Sequence, residues 1–323
     1  MILAAAHALP ARRIPSAEID RRCGLPEGRT EAATGIAARF HVTGESQIDL
    51  AVAAARTALD RAGVASAAID LVLGANAVPY QPLPATAPLV ARGLGIADGQ
   101  AAAYDLNATC LSFLPALDHA ATQIALGRAR HALVFSSEIA SRALDFAGDP
   151  FVAAHFGDGA AAVVLGPGPG RIAACRLRSY PSGYEACGLR SGGTAIDLRA
   201  DPAGFAAGAW FHMEGEALFR LTARHFRAFL QDLLDEAGWT MAGIDLILPH
   251  QASPRALSRM ARALDVPVGR MIDISAEYGN QVAASIPTAL AIAQERGLLG
   301  PGSRVLLLGT AAGVTFGGLA LET

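Results

Sequence analysis

The chain repeats itself. Gly63-x5-Ile69-Asp-Leu-Val-Leu73 returns as Gly238-x5-Ile244-Asp-Leu-Ile-Leu248, and Asn107 to Leu117 returns as Asn280 to Leu290 with Asn, Ser, Ala and Leu at matching places. His131 to Phe135 is matched by Arg304 to Leu308, and Gly159 to Val163 by Gly317 to Leu321. Four matches in the same order mark a duplicated set of elements. Within each copy, apolar runs that suit buried strands alternate with helical spacing: Ile69–Gly74, His131–Ser136 and Gly159–Leu165 read as strands, and Leu50–Arg61 and Leu218–Ala237 as helices. Two such α/β halves are expected to form two sheets with helices on their faces, meeting on a pseudo-twofold axis. The halves are read as residues 1–170 and 171–323, joined at Gly166-Pro-Gly-Pro-Gly170. Ile2–Ala6 reads as a first strand, Pro10–Pro15 as a turn, Ser16 as a helix N-cap, and Arg29–His41 and Pro79–Pro88 as irregular. Tyr180–Trp210 has no counterpart in the first copy and reads as a loop over a site.

Composition removes several chemistries. All 26 basic residues are arginines and no lysine occurs, so Schiff-base catalysis and a P-loop lysine are excluded. A net charge of -3 gives no overall basic field, and nucleic acid is not an expected partner. With 52% hydrophobic and 17% charged residues in 323, the chain is apolar for a water-soluble protein, which points to surface covered by a second subunit. The four cysteines, Cys23, Cys110, Cys175 and Cys187, form no C-x-x-C pair, so no metal site is expected, and a reducing cytoplasm fits them. The first residues lack a basic signal-peptide region, and no apolar run reaches membrane-span length.

Chemistry concentrates at two strand ends and one turn before a helix. Tyr104-Asp-Leu-Asn-Ala-Thr-Cys110 reads as a strand turning into a helix marked by Leu111, Leu114, Leu117, Ala121 and Ile124. Free N–H groups and the positive helix end at such a corner are expected to lower the Cys110 thiol pKa and favour a nucleophilic thiolate. A lone cysteine in apolar sequence is otherwise more often core filler. In the second copy the strand Leu246–Pro249 runs into His250-Gln251, where the first copy has Ala75-Asn76, and Asn280 sits at the corner that matches Asn107. A histidine alone suits a hydrogen-bonded core and an asparagine alone suits a cap, but the pseudo-symmetry should bring Cys110, His250 and Asn280 together. No G-x-S-x-G elbow is present, and neither Gly157-Asp-Gly159 nor Gly309-Thr-Ala-Ala-Gly313 has the spacing of a phosphate loop. Ser253-Pro254 opens a helix with Leu257, Met260, Ala261 and Leu264 on one face and Arg255, Arg259 and Arg262 on the other, by default a solvated face.

Over nearly its whole length the chain resembles the β-ketoacyl-acyl-carrier-protein synthase III family of thiolase-like condensing enzymes. The carrying segments are Thr34-Gly-Ile36, Asp105-Leu-Asn-Ala-Thr-Cys110, Phe156-Gly-Asp-Gly-Ala-Ala161, Pro249-His-Gln-Ala252, Tyr278-Gly-Asn280 with Ala283-Ala-Ser-Ile-Pro287, and the Gly313 turn. The resemblance implies a five-layered αβαβα fold and a homodimer. It implies a Cys110, His250 and Asn280 triad with an oxyanion hole from the backbone N–H groups of Cys110 and Ala312. Acyl-CoA or an acyl carrier protein and a malonyl thioester are the implied substrates, with no further cofactor. Arg255 falls at a carrier-docking position of the family, with Arg259 and Arg262 beside it.

Several positions depart from the family pattern. Arg29 and Ala33 stand where an adenine-clamping Trp and Arg are usual, Leu111-Ser112 replaces Ala-Gly, Ser253 replaces Asn, and Ala311-Ala-Gly-Val314 replaces Gly-Gly-Gly-Phe. Leu83 takes the place of an aromatic acyl gate, which points to a longer acyl pocket. It also lacks the glutamate of relatives that join two acyl chains head to head. Acyl transfer to an alcohol or amine, thioester hydrolysis and non-catalytic acyl binding are the other readings of the same residues.

Overall fold

A computed structural model of the chain describes residues 1–267 and 269–323. The first sheet holds β1 (Ile2–Ala8), β2 (Leu71–Gly74), β3 (Ala102–Asp105), β4 (Ala132–Glu138) and β5 (Gly159–Leu165) in the order β1-β5-β4-β2-β3. The second holds β6 (Arg171–Ser179), β7 (Leu246–Pro249), β8 (Arg304–Ala311) and β9 (Thr315–Glu322) in the order β7-β8-β9-β6. The two orders are the same when β6, β9, β8 and β7 are laid on β1, β5, β4 and β2. So are the directions: β2 and β7 run parallel to β4 and β8, while the other pairs that the two sheets share are antiparallel. Even the place of β3 is marked in the second half, by a single parallel bridge from Ile247 to Met271.

Helices complete the layers. Between the sheets lie α2 (Phe113–Ala125) and α5 (Ser285–Glu295), each touching strands of both. Every residue of α5 from Ser285 to Ala293 is buried, so the absence of a polar stripe in that stretch follows from having sheets and a sister helix on all sides. On the outer face of the first sheet, α1 (Gln47–Ala62) presents Ala51, Ala54, Ala55 and Ala58, small side chains that let the helix lie close to the strands. Ser46 and Asp49 form a capping box at its start, and Gly63 ends it at φ +63. On the outer face of the second sheet, α3 (Gly215–Ala237) packs Phe226, Phe229, Leu230, Leu233 and Leu234. The α4 helix (Pro254–Ala263) follows β7, with Ser253 accepting the Ala256 N–H as N-cap and Pro254 in the first turn. The result is the five-layered αβαβα fold, built from two duplicated halves.

Some elements differ from the sequence expectation. Arg12–Pro15 and Ala38–His41 pair as a two-stranded antiparallel ribbon rather than forming a turn and an irregular stretch, a pairing across two short helices that local periodicity does not report. Ser16 begins its helix instead of capping it, and its hydroxyl donates to the Ile36 carbonyl. The β6 strand leaves no clear pattern in the sequence, because it lies at a sheet edge and carries Arg171, Arg176 and Arg178 among partly exposed positions. In the insertion, Cys187–Gly188 pairs with His212–Met213, and a short helix spans Pro202–Gly208.

Candidate active site

The two halves present the same turn to one another. After β3, the Asn107 side-chain oxygen accepts the Thr109 N–H at 2.8 Å, Thr109 adopts φ +52, and one 3-10 turn over Thr109–Leu111 leads into α2. In the second half the Asn280 oxygen accepts the Val282 N–H at 2.9 Å, Val282 adopts φ +53, and a 3-10 turn over Val282–Ala284 leads into α5. Positive φ at a threonine and a valine is costly, since a Cβ crowds the backbone there; the asparagine loop holds it in place in both copies. Cys110 therefore lies three residues before its helix rather than on the first turn.

Cys110 is half-buried, and its surroundings are strongly desolvated. Burial, with smaller contributions from Cys187 and Glu138, pushes its thiol up to about 12, while hydrogen bonds from the N–H groups of Ala312 and Cys110 itself pull the other way. The expectation of a lowered thiol pKa is corrected accordingly: the amides act in the expected direction and burial outweighs them. Ala312 reaches Cys110 because β8 and β9 are joined by a tight tip in which Gly313 takes φ +123, a conformation open to glycine. Thr109 Oγ1 lies 2.8 Å from the Ala108 carbonyl oxygen and 3.3 Å from that of Ala312, which places the tip against the cysteine turn.

His250 follows β7 directly, and its N–H donates to the Leu308 carbonyl at 2.8 Å. Gly309 is the shared wall between it and the cysteine turn: a Cβ there would lie 2.5 Å from His250 Cβ and 3.3 Å from Leu111 Cδ2. Burial takes the His250 pKa down to about 4, so the ring is neutral at ordinary pH. Its Nδ1 lies 2.7 Å from Ser285 Oγ. Asn280 is fixed through its backbone, its N–H donating to the His155 carbonyl at 2.8 Å and its carbonyl accepting the Gly157 N–H at 3.1 Å. Gly157 has no room for a Cβ, which would fall 2.2 Å from the Tyr278 carbonyl oxygen. Gly157 thus serves the Asn280 backbone rather than a reacting oxygen. Among the described residues no protein acceptor takes the Asn280 side-chain N–H or the far nitrogen of His250.

Two residues at this site were not singled out in the sequence. Glu138, the last residue of β4, is buried and pushed up to about 8, although the N–H groups of Ala77, Val78 and Ala283 point to its carboxyl. It ties the loop after β2 to the second turn. Its sequence gives no signal beyond a carboxylate at the end of an apolar strand. Ser285 could have been found by position, since it falls 173 residues after Ser112 just as Asn280 falls 173 after Asn107.

Other expected residues lie apart from this cluster. Leu83 is 85% exposed on the loop before Ala87, and it joins no core cluster. Arg255, Arg259 and Arg262 are exposed along α4 as expected, but each has company: Arg255 donates to the Ala32 carbonyl, Arg259 lies over the Phe219 ring at 5.5 Å, and Arg262 donates to Ser258. Among the described residues no group of His, Cys, Asp and Glu is arranged to hold a metal, and no helix is long and apolar enough to cross a membrane.

Comparison with known proteins agrees with this architecture. The family described as 3-oxoacyl-[acyl-carrier-protein (ACP)] synthase III matches residues 104–181, and its C-terminal family matches residues 234–323. A β-ketoacyl-[acyl-carrier-protein] synthase III of Streptomyces coelicolor is 39% identical over 318 residues, covering 97% of this chain and 94% of the relative. A solved 3-oxoacyl-(acyl carrier protein) synthase III from Pseudomonas aeruginosa superposes with a TM-score of 0.88 at 32% identity, covering 99% and 97% of the two chains. The priming β-ketosynthase of the R1128 polyketide pathway superposes with a TM-score of 0.90 at 29% identity, covering 99% and 95%. The chain belongs to the 3-oxoacyl-[acyl-carrier-protein] synthase III family of condensing enzymes.

Proposed function

We propose that the protein transfers an acyl group from a thioester to Cys110 and then condenses it with a malonyl thioester to give a 3-oxoacyl product. What supports this reading is that the Cys110 turn and the Asn280 turn face each other, with Gly309 packed between His250 and Leu111; those segments carry a thiol, two backbone N–H groups, a neutral imidazole and an unclaimed carboxamide. In the first step the Cys110 sulfur attacks the thioester carbonyl, and the oxyanion is held by the N–H groups of Cys110 and Ala312. Collapse expels the donor thiol, which leaves with the proton that Cys110 carried. A thiol at about 12 is a poor resting nucleophile, so the same two N–H groups must also support the sulfur as it loses that proton.

In the second step the malonyl carbonyl oxygen lies between the His250 far nitrogen and the Asn280 side-chain N–H. Loss of carbon dioxide leaves its bonding electrons as an enolate, which these donors stabilise more than the starting thioester. The carbon end of the enolate attacks the acyl-cysteine, and Cys110 leaves as the thiolate and regains a proton. Neither step requires a metal or a bound cofactor.

The acyl donor is a CoA or carrier-protein thioester. The carrier reading draws on the exposed Arg255, Arg259 and Arg262 of α4, which begins four residues beyond His250 and suits an acidic, phosphate-bearing partner. A second copy of the chain is the proposed partner for the open edge of β3, where Tyr104 is exposed and the nearby loop shows Val78, Tyr80 and Leu83. Leu83 would then line the acyl pocket of the other copy. Intact-protein mass spectrometry with acyl-CoA and acyl-carrier donors tests the reading. An adduct on Cys110 discharged by a malonyl thioester is expected, and discharge by water or an alcohol would replace the reading with hydrolysis or ester formation.

A further inference from the structure

The Ser285 hydroxyl lies 2.7 Å from His250 Nδ1, 2.8 Å from the Val282 carbonyl oxygen and 3.4 Å from the Gln251 N–H. A hydroxyl has one hydrogen to give. If that hydrogen goes to Val282, Nδ1 must carry the proton of the neutral ring, and a bare lone pair on Nε2 faces the site. If it goes to Nδ1, Nε2 carries the proton and faces the site as a donor. The Val282 carbonyl is already served by the Ser285 backbone N–H, while Nδ1 has no other partner among the described residues. The Gln251 N–H supplies a donor to the serine oxygen, so its lone pairs are not left empty. Ser285 is also the first residue of α5, whose positive end favours an electron pair at Nδ1 over an N–H there.

Resting on the condensation reading, we infer that Ser285 donates to His250 Nδ1 and holds the ring as the Nε2–H tautomer, which makes it the positioning residue for the enolate donor. The matching Ser112 shows what is special about this arrangement. Its hydroxyl lies between the Thr109 and Asn76 carbonyls and accepts the Ala108 N–H, so it only braces the turn. Substituting a ring nitrogen for one of those carbonyls converts a structural serine into one that sets a proton's position.

The test is 15N NMR of protein labelled at histidine, with the His250 signals assigned by their loss in His250→Gln. In the unaltered protein Nε2 is expected to be the protonated, pyrrole-type nitrogen and Nδ1 the bare one; the reverse overturns the inference whatever the enzyme's reaction proves to be. In Ser285→Ala the tautomers should mix, and carbon dioxide release from a malonyl thioester should fall roughly 10- to 100-fold in kcat, as for other partners that orient a functional histidine. Acylation of Cys110 should persist in that variant and shows that it is folded. Ser285→Thr, which keeps the hydroxyl, should restore the tautomer and most of the rate. An unchanged tautomer and an unchanged release rate in Ser285→Ala would also overturn the inference.

Discussion

The turns at Asn107–Ser112 and Asn280–Ser285 are the same object built twice, yet each puts a different side chain to use. In the first, Asn107 is spent on structure: its oxygen takes the Thr109 N–H, and its side-chain N–H donates to the Ala77 carbonyl at 3.0 Å. The fourth position, Cys110, is the proposed nucleophile. In the second, the fourth position is the inert Ala283, and the Asn280 side-chain N–H has no protein acceptor among the described residues. A duplicated scaffold can thus divide a two-step reaction, with acyl transfer on one copy and enolate formation on the other, while the backbone geometry stays common. Such a division is hard to reach on a single turn, because the nucleophile needs N–H donors at its own oxyanion and the enolate needs donors elsewhere.

The largest effect should come from making the first turn resemble the second. In Cys110→Ala, condensation should drop by roughly 10⁴-fold or more, with no mass adduct from any acyl thioester. Removing the second turn's contribution should be milder in rate but just as selective. Asn280→Ala and His250→Ala should each lose roughly 10²- to 10³-fold in malonyl decarboxylation, measured as carbon dioxide release, while Cys110 still becomes acylated. The mirror change, Asn107→Ala, should act through geometry. It removes the brace behind Thr109 and should slow acylation by about 10-fold and lower stability by about 1 kcal/mol, seen in thermal unfolding. If Asn107→Ala instead abolished decarboxylation, the division between the turns would be wrong.

A smaller effect is set by pH. His250 has a folded pKa near 4, below its ordinary 6.5, so the unfolded chain binds its proton first as pH falls. Its burial therefore contributes stability that is fully present above about 6.5 and lost progressively as pH drops through 4, roughly 3 kcal/mol in all. His41 and His155 are also lowered by burial and steepen the same limb. Urea unfolding between pH 4 and 7 should show a shallower acid slope in His250→Gln than in the unaltered protein. Smaller still, Ser253→Ala should lower stability by about 1 kcal/mol through loss of the α4 N-cap, with the turns untouched.

Much of this was legible in the sequence because duplication constrains so strongly. Gly63 and Gly238 stop equivalent helices, Ile69 and Ile244 lead into equivalent strands, and Asn107 and Asn280 mark the two turns in register. What escaped depends on contacts between distant segments. Arg12–Pro15 is a strand only because Ala38–His41 lies beside it, and β6 is one only because β9 offers an edge. The direction of the Cys110 shift is not legible in the sequence for a related reason. Local spacing announces nearby N–H groups, but not the depth of apolar packing around the sulfur, and in this protein the second effect is larger. Glu138 and the role of Ser285 likewise come from pairing across the halves.

The division of labour is tested most directly by carbon dioxide release from a malonyl thioester alone, measured side by side for Cys110→Ala and Asn280→Ala. Release that persists without the thiol and fails without the carboxamide is the predicted result. Release that stops with the thiol, or continues undiminished without the carboxamide, would contradict it.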